Sequence, residues 1–301
     1  MTSIHVFGRQ IYDSDNQFFF QGKYTLPLDG ALRDSELWQE SGDIASLEDL
    51  AALPNLTVLS LYRQNIEDLA PLKGRKLKQL GIGLNPVKDL SPLKNCKTLE
   101  TLNLCGLTFE NPEVLATLTR LKALDVSSTN FDTLALLVDL PLENLNLMDA
   151  PFVDEITFER MPHLKRLTLG QLRPEVAGHL GALPLETLTV THAQGVSPRD
   201  LEGLTGLKQL SFRTEERLTL TGAPLHFQAL ESLELKGVRL ESLACLSGLG
   251  GLQSLGIYES ECLDYSGLEG LTALELIRAN GGQIAALEAH YPAHPWALEE
   301  T

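Results

Sequence analysis

Leucine returns along this chain at uneven but repeated steps. Between residues 77 and 95, in LKQLGIGLNPVKDLSPLKN, the apolar positions are Leu77, Leu80, Ile82, Val87, Leu90 and Leu93. The fourth and sixth residues of that run are two apart, so they point to one face of a short strand, and the polar or small residues between them point to the other. The same six-residue pattern starts at Leu56 (LTVLSL), Leu99 (LETLNL), Leu121 (LKALDV), Leu142 (LENLNL) and Leu164 (LKRLTL). It starts again at Leu185 (LETLTV), Leu207 (LKQLSF), Leu230 (LESLEL) and Leu252 (LQSLGI), with a weaker copy, LELIRA, at Leu274. Successive starts are 21 to 23 residues apart. A unit this short cannot bury its apolar face alone, so each copy must stack on its neighbours, and interior leucines cut to alanine are expected to cost ~2–5 kcal/mol.

The pattern resembles the LxxLxLxx(N)x(L/I) signature of the leucine-rich repeat family over about residues 46–287. The tails IEDLAPL (66–72) and VKDLSPL (87–93) are most similar to the 22-residue subclass of phosphatase-regulatory proteins and bacterial internalins. The resemblance implies an α/β solenoid with one parallel concave sheet and short 3-10, helical or irregular convex segments. It implies little about function beyond binding. A frame for the last copy starting at Leu271 fits nearly as well as one starting at Leu274.

Two finer patterns ride on the repeat. Asn85 holds the ninth position of its copy, where the family stacks asparagines whose amides satisfy backbone groups that would otherwise be buried unpaired. The equivalent residues are Gln64, Leu107, Thr129, Ala150, Leu172, Ala193, Glu215, Val238, Ser260 and Gly282. Only Gln64 and Asn85 make a pair of rungs, which predicts an irregular coil. At the second position the residues run Lys78, Glu100, Lys122, Glu143, Lys165, Glu186, Lys208, Glu231. Opposite charges alternate on neighbouring strands, as suits a register-keeping ladder better than a ligand site, which would need one sign to predominate.

An open end of such an array needs covering. Residues 1–33 read as an N-terminal cap, with FFFQGKYTL (18–26) as a hairpin around Gly22; residues 34–289 form the repeat domain, and 290–301 a C-terminal tail outside the pattern. DSDN (13–16) reads as a turn, since it lacks the glycine and glutamate of a calcium loop. His290 and His294 are separated by Pro292, which argues against a metal pair, so neither a metal nor a cofactor is expected.

Composition narrows the partners. With 24 Lys+Arg against 40 Asp+Glu the formal net charge is −16, which repels nucleic acid and anionic membranes and suits a protein partner, one of basic character in particular. Cys96, Cys105, Cys245 and Cys262 show neither a CxxC pair nor zinc spacing, as expected of free thiols in a reducing compartment. The N-terminus has no secretory pattern, and no apolar run approaches a membrane span. A cytoplasmic monomer is the expectation.

Chemistry has few candidates. Cys105, Asp125, Ser127, Ser128 and His192 fall among the outward strand positions, but His192 is three or four copies from the possible nucleophiles. At ~4.8 Å between strands that is on the order of 14–19 Å, beyond a nucleophile–base contact. No catalytic residue is assigned and the chain is read as a non-enzyme. What remains is surface. The outward residues suited to protein recognition are Tyr62, Arg63, Asp125, Met148, Asp149, His192, Arg213, Lys236, Tyr258 and Glu259, with Asn103, Ser127 and Asn146 as a polar strip beside Asp125. The reading is a module that docks a folded protein on its concave sheet, as an intracellular adaptor or an inhibitor or regulator of an enzyme, toxin neutralisation being one form. The alternatives are an internalin-like surface adhesin and, last, an enzyme using Cys105 or Ser127.

Overall fold

The computed structural model describes residues 3–7, 10–12, 42–151 and 156–301. The hairpin expected at 18–26 and the turn at 13–16 lie outside these residues. The chain divides into two compact units, Met1–Leu164 and Lys165–Thr301.

In the first unit each copy contributes a strand of three to five residues: β3 (Val58–Tyr62), β4 (Gln79–Gly81), β5 (Thr101–Asn103), β6 (Ala123–Asp125) and β7 (Asn144–Leu147). They pair in parallel and in sequence order, each central leucine beside the next: Leu59, Leu80, Leu102, Leu124, Leu145. Beyond β3, β1 (Ser3–Phe7) adds in parallel, and β2 (Gln10–Tyr12) pairs antiparallel with β1. Between strands the chain makes 3-10 turns, among them Glu48–Ala52, Ala70–Leu72, Ser91–Asn95 and Pro112–Thr117. Prolines at the starts of three of these turns lack the N–H that would have no partner there.

The second unit repeats the plan with longer strands. Its elements are β8 (Arg166–Leu172), α1 (Pro174–Leu180), β9 (Thr187–Ala193), β10 (Gln209–Leu220), β11 (Ser232–Leu240) and β12 (Ser254–Gly256). The two-residue β13 (Glu261–Cys262) pairs with β11, and β14 (Leu276–Ala279), α2 (Gly281–His290) and β15 (Ala297–Glu300) complete it. Ile277 pairs with Leu255, so the copy starts at Leu274 rather than Leu271. The last residues, read as lying outside the pattern, add one more parallel strand, with Leu298 beside Ile277.

The first, fourth and sixth residues of the copies form the core: Leu77, Leu99, Leu102, Leu121, Leu124, Leu207 and Leu233 have no exposed surface. Phe131, Phe158 and Phe212 are buried among them. At the second position one carbonyl serves two donors of the next copy. Lys78 O accepts from Glu100 N (2.8 Å) and Thr101 N (3.0 Å), and Glu100, Lys122, Lys165, Glu186, Lys208, Glu231 and Gln253 do the same. Direct bridges between charged side chains on this line include Lys122–Glu100 at 3.9 Å and Lys208–Glu186 at 3.2 Å. Both are solvent-exposed pairs of the kind worth ~0.2–1 kcal/mol.

Asn85 is buried and fully used. Its Nδ2 donates to Leu61 O (2.7 Å), Ile82 O (3.0 Å) and Gly83 O (3.2 Å), and its Oδ1 accepts from Gln64 N and Ile66 N. Gln64 repeats the arrangement one copy earlier, accepting from Ile44 N and donating to Tyr62 O. Elsewhere shorter side chains take over: Thr129 donates to Val126 O, and Ser260 donates to Leu235 O while accepting from Val238 N. In two copies the working residue is shifted by one from the expected position. Thr214, not Glu215, donates to Ala193 O, and Gln283, not Gly282, donates to Ile257 O and Ser260 O.

Candidate functional site

The eighth position of each copy decides how the chain leaves its strand. Arg63, Leu84, Ser128, Asp149 and Glu259 have φ between 52° and 59°, and Gly106 and Gly237 have φ of 71°. This left-handed turn ends the strand, except at Gly237, where β11 resumes pairing and runs on to Leu240. At Gln171, His192 and Thr214 the backbone stays extended, and β8, β9 and β10 run on for 7, 7 and 12 residues. Three of the expected site residues, Arg63, Asp149 and Glu259, therefore stand at turns, and His192 stands within a strand.

In the first unit the expected residues do not assemble. Tyr62, taken as an exposed anchor, is 8 % exposed. It lies on Gly81 of the next strand, where an added Cβ would sit 2.4 Å from the tyrosine hydroxyl. Asp125 was expected in an open polar strip, and it is 1 % exposed. Asn103, Ser127 and Asn146 are buried with it. Asn103 Nδ2 donates to Asp125 Oδ2 (2.8 Å), and Ser127 N donates to Asp125 Oδ1 (2.8 Å). Burial raises the Asp125 carboxyl above its usual range, while Ser127 and the amides of Asn146 and Asn103 pull the other way. Asn146 Nδ2 has no hydrogen-bond partner of good geometry. Met148 and Arg63 are half-buried, and Asp149 is exposed and accepts from Ser128 Oγ at 3.4 Å. Tyr62 and Asp125 are thus buried and present little surface to a partner.

In the second unit the expected residues form a row. His192 lies opposite Arg213 where β9 and β10 slip register between Phe212 and Thr214. Its ring is held by Gly170 O on Nδ1 (3.2 Å) and by Glu215 on Nε2 (3.4 Å). Arg213 is exposed and pairs in register with Lys236. The Lys236 ammonium stands 4.3 Å from the centre of the Tyr258 ring, a cation–π contact. Tyr258 lies against Gly256, where an added Cβ would meet Tyr258 at 3.0 Å and Glu234 at 3.2 Å. Burial, with the Glu234 carboxylate beside it, pushes the Tyr258 hydroxyl up to about 12. Glu259 is exposed beside it.

Three further residues join this row without having been singled out: Glu234, Arg278 and Glu299. Arg278 Nε donates to Glu299 Oε2 at 2.9 Å. Arg278 was hidden by the undecided frame of the last copy, and Glu299 by the prolines before β15. Glu234 is the fifth residue of its copy and was readable as outward-facing.

The possible nucleophiles, Cys105 and Ser127, lie in the first unit, whereas His192 lies in the second and is already bonded there. Among the described residues no group of His, Cys, Asp and Glu is placed to hold a metal. The four cysteines are free thiols.

This architecture is that of the leucine-rich repeat proteins. An internalin of Listeria monocytogenes matches over 79 % of this chain and 84 % of its own, with TM-score 0.54 and 21 % identity. A leucine-rich repeat protein of Leptospira interrogans matches over 86 % and 82 %, with TM-score 0.55 and 18 % identity. A chain of the octameric complex of latrophilin 3, Unc5D and the leucine-rich repeats of FLRT2 matches over 86 % and 81 %, with TM-score 0.50 and 15 % identity. At these identities the likeness is one of fold. No protein-family model matches the sequence, and no curated protein matches it.

Proposed function

We propose that this chain is a protein-recognition module that docks a folded partner on the outward strand face of its second unit. The observation that carries the reading is the row His192, Arg213, Lys236, Tyr258 and Glu259 on strands joined by parallel pairing. Arginine and tyrosine are the residue types that anchor protein interfaces. The Lys236–Tyr258 and Arg278–Glu299 contacts hold the side chains before a partner arrives, which lowers the ordering cost of association. The row carries both signs, Arg213 and Lys236 side by side and Glu234 and Glu259 about Tyr258, a mosaic that selects orientation and partner rather than a single sign. A net charge of −16 adds long-range attraction for a partner of opposite overall sign. The role that fits is an adaptor, or an inhibitor or regulator of an enzyme, acting inside the cell.

The test is capture from the native cell lysate on immobilised full-length protein, followed by mass spectrometry. The variant Arg213→Glu, Lys236→Glu, Tyr258→Ala is run alongside, with its thermal melt recorded to show that it is folded. A protein held by wild type and lost by the folded variant is the expected result. Equal retention by both contradicts this face as the docking site.

A further inference from the structure

The formal charge of −16 is unevenly spread. Residues 73–122 carry nine Lys and Arg against four Asp and Glu. The excess gathers where the chain turns back into the strands. The three consecutive turns 72–76 (LKGRK), 94–98 (KNCKT) and 116–120 (ATLTR) hold six basic residues and no acidic one. The corresponding turns of the second unit, 180–184, 202–206, 225–229, 247–251 and 269–273, hold neither Lys nor Arg and consist mostly of glycine, alanine and leucine. The turn requires no cation, so the second unit serves as the internal comparison.

The three turns are fastened side by side. Cys96 Sγ donates to Leu72 O (3.3 Å), Thr98 Oγ1 donates to Leu77 O (2.6 Å), and Thr117 Oγ1 reaches Lys94 O (3.5 Å). Arg75 is spent on structure, donating to Pro71 O and Leu53 O. The others, Lys73, Lys76, Lys94, Lys97 and Arg120, are exposed, and their side chains make no ion pair among the described residues. The run stops at the next turn, where Asp139 stands 3.8 Å from Arg160. The two strand spacings between the first and third turns amount to roughly 10 Å, comparable to the ~8 Å screening length at physiological salt, so these cations act as one field.

We propose that this strand-entry edge of the first unit is a cationic docking surface for an acidic segment of a protein partner. The proposal rests on the reading of the chain as a recognition module and adds the chemistry of one contact. Carboxylates on a short peptide match a patch of this extent. Nucleic acid and anionic membrane fit it less well. Both present long arrays of charge that the rest of an acidic chain repels, and among the described residues the three turns hold no aromatic ring on which a base could stack. The body's overall sign governs approach, and the edge governs contact, so a partner with a basic body and an acidic segment satisfies both.

Fluorescence anisotropy with a labelled octaglutamate peptide tests this on the full chain. Wild type is compared with Lys73→Glu, Lys76→Glu, Lys94→Glu, Lys97→Glu, and with a charge-matched control carrying Arg166→Glu, Arg213→Glu, Lys236→Glu, Arg239→Glu. Binding by wild type that weakens with salt, a loss of at least tenfold in the first variant and a change below twofold in the control are expected. No binding by wild type, or equal loss in both variants, overturns the proposal. Tighter binding of single-stranded oligothymidine or of phosphatidylserine vesicles at the same edge overturns the acidic-protein assignment in favour of that class. The control variant separates this from the docking face of the second unit: it should lose a captured partner yet keep octaglutamate.

Discussion

Replacing Asp125 with asparagine keeps the shape of the side chain and removes its charge, so it isolates what a buried carboxylate costs. Its pKa is raised in the fold above the ordinary 3.8, chiefly by burial. The folded state then holds the proton more tightly than the unfolded chain does. Asp125 therefore contributes stability that is fully present below pH 3.8 and is lost as pH rises through its folded pKa. Wild type should gain stability on acidification from pH 7 toward about 4 relative to Asp125→Asn. The variant itself loses the bond from Asn103 Nδ2, so the difference in slope is the readout, not the absolute melting point. Parallel melting-temperature profiles for the two proteins would contradict the assignment. The role of Asn85 was legible in the sequence because the ninth position serves its own turn and the one before. The burial of Tyr62 and Asp125 was not legible. It depends on what the neighbouring copies place beside them: a glycine under the ring, and amides and a serine around the carboxyl.

At the level of elements, the steps of 21 to 23 residues located nearly every strand of the repeat array, because leucine must meet leucine on the next strand. Strand length was not legible. It is set at the eighth position by backbone conformation, which side-chain pattern does not report. The irregular step of 23 residues between Leu207 and Leu230 marks the place where this matters most. There Arg213 and Leu218 of β10 pair with Lys236 and Val238 of β11, so four residues, 214–217, face the single Gly237. Gly237 has φ of 71°, and an added Cβ would lie 1.9 Å from Thr214 O. Gly237→Ala should destabilise the protein by ~1–3 kcal/mol, through left-handed strain and the clash together. Gly250→Ala, where nothing lies within 4 Å and φ is not positive, should be nearly neutral. Chemical denaturation of both variants checks this, and similar midpoints for the two would refute the account of the bulge. The strand β15 carries no repeat signal because Pro292 and Pro295 break the pattern before Ala297 resumes the pairing.

For the molecule as a whole, stability is a sum over neighbouring copies, and function is a matter of which surface the stacking leaves presented. No helix among the described residues is long and apolar enough to cross a membrane. The leucines announce the architecture and are silent about the partner. The composition of the outward row carries that information in part. His192, Arg213, Lys236, Tyr258 and Glu259 were all visible as outward positions, and the register of β9 to β12 brings them together. Of the residues in the first unit, Tyr62 and Asp125 are buried, and Arg63 follows β3 whereas Met148 and Asp149 follow β7. Hydroxyl-radical footprinting of the protein alone and bound to its captured partner tests the central claim most directly. Oxidation of Tyr258 and His192 should fall several-fold in the complex, while Leu263, 53 % exposed and outside the row, should be oxidised as before. Protection of Leu263 with Tyr258 and His192 unchanged would contradict docking on the strand face.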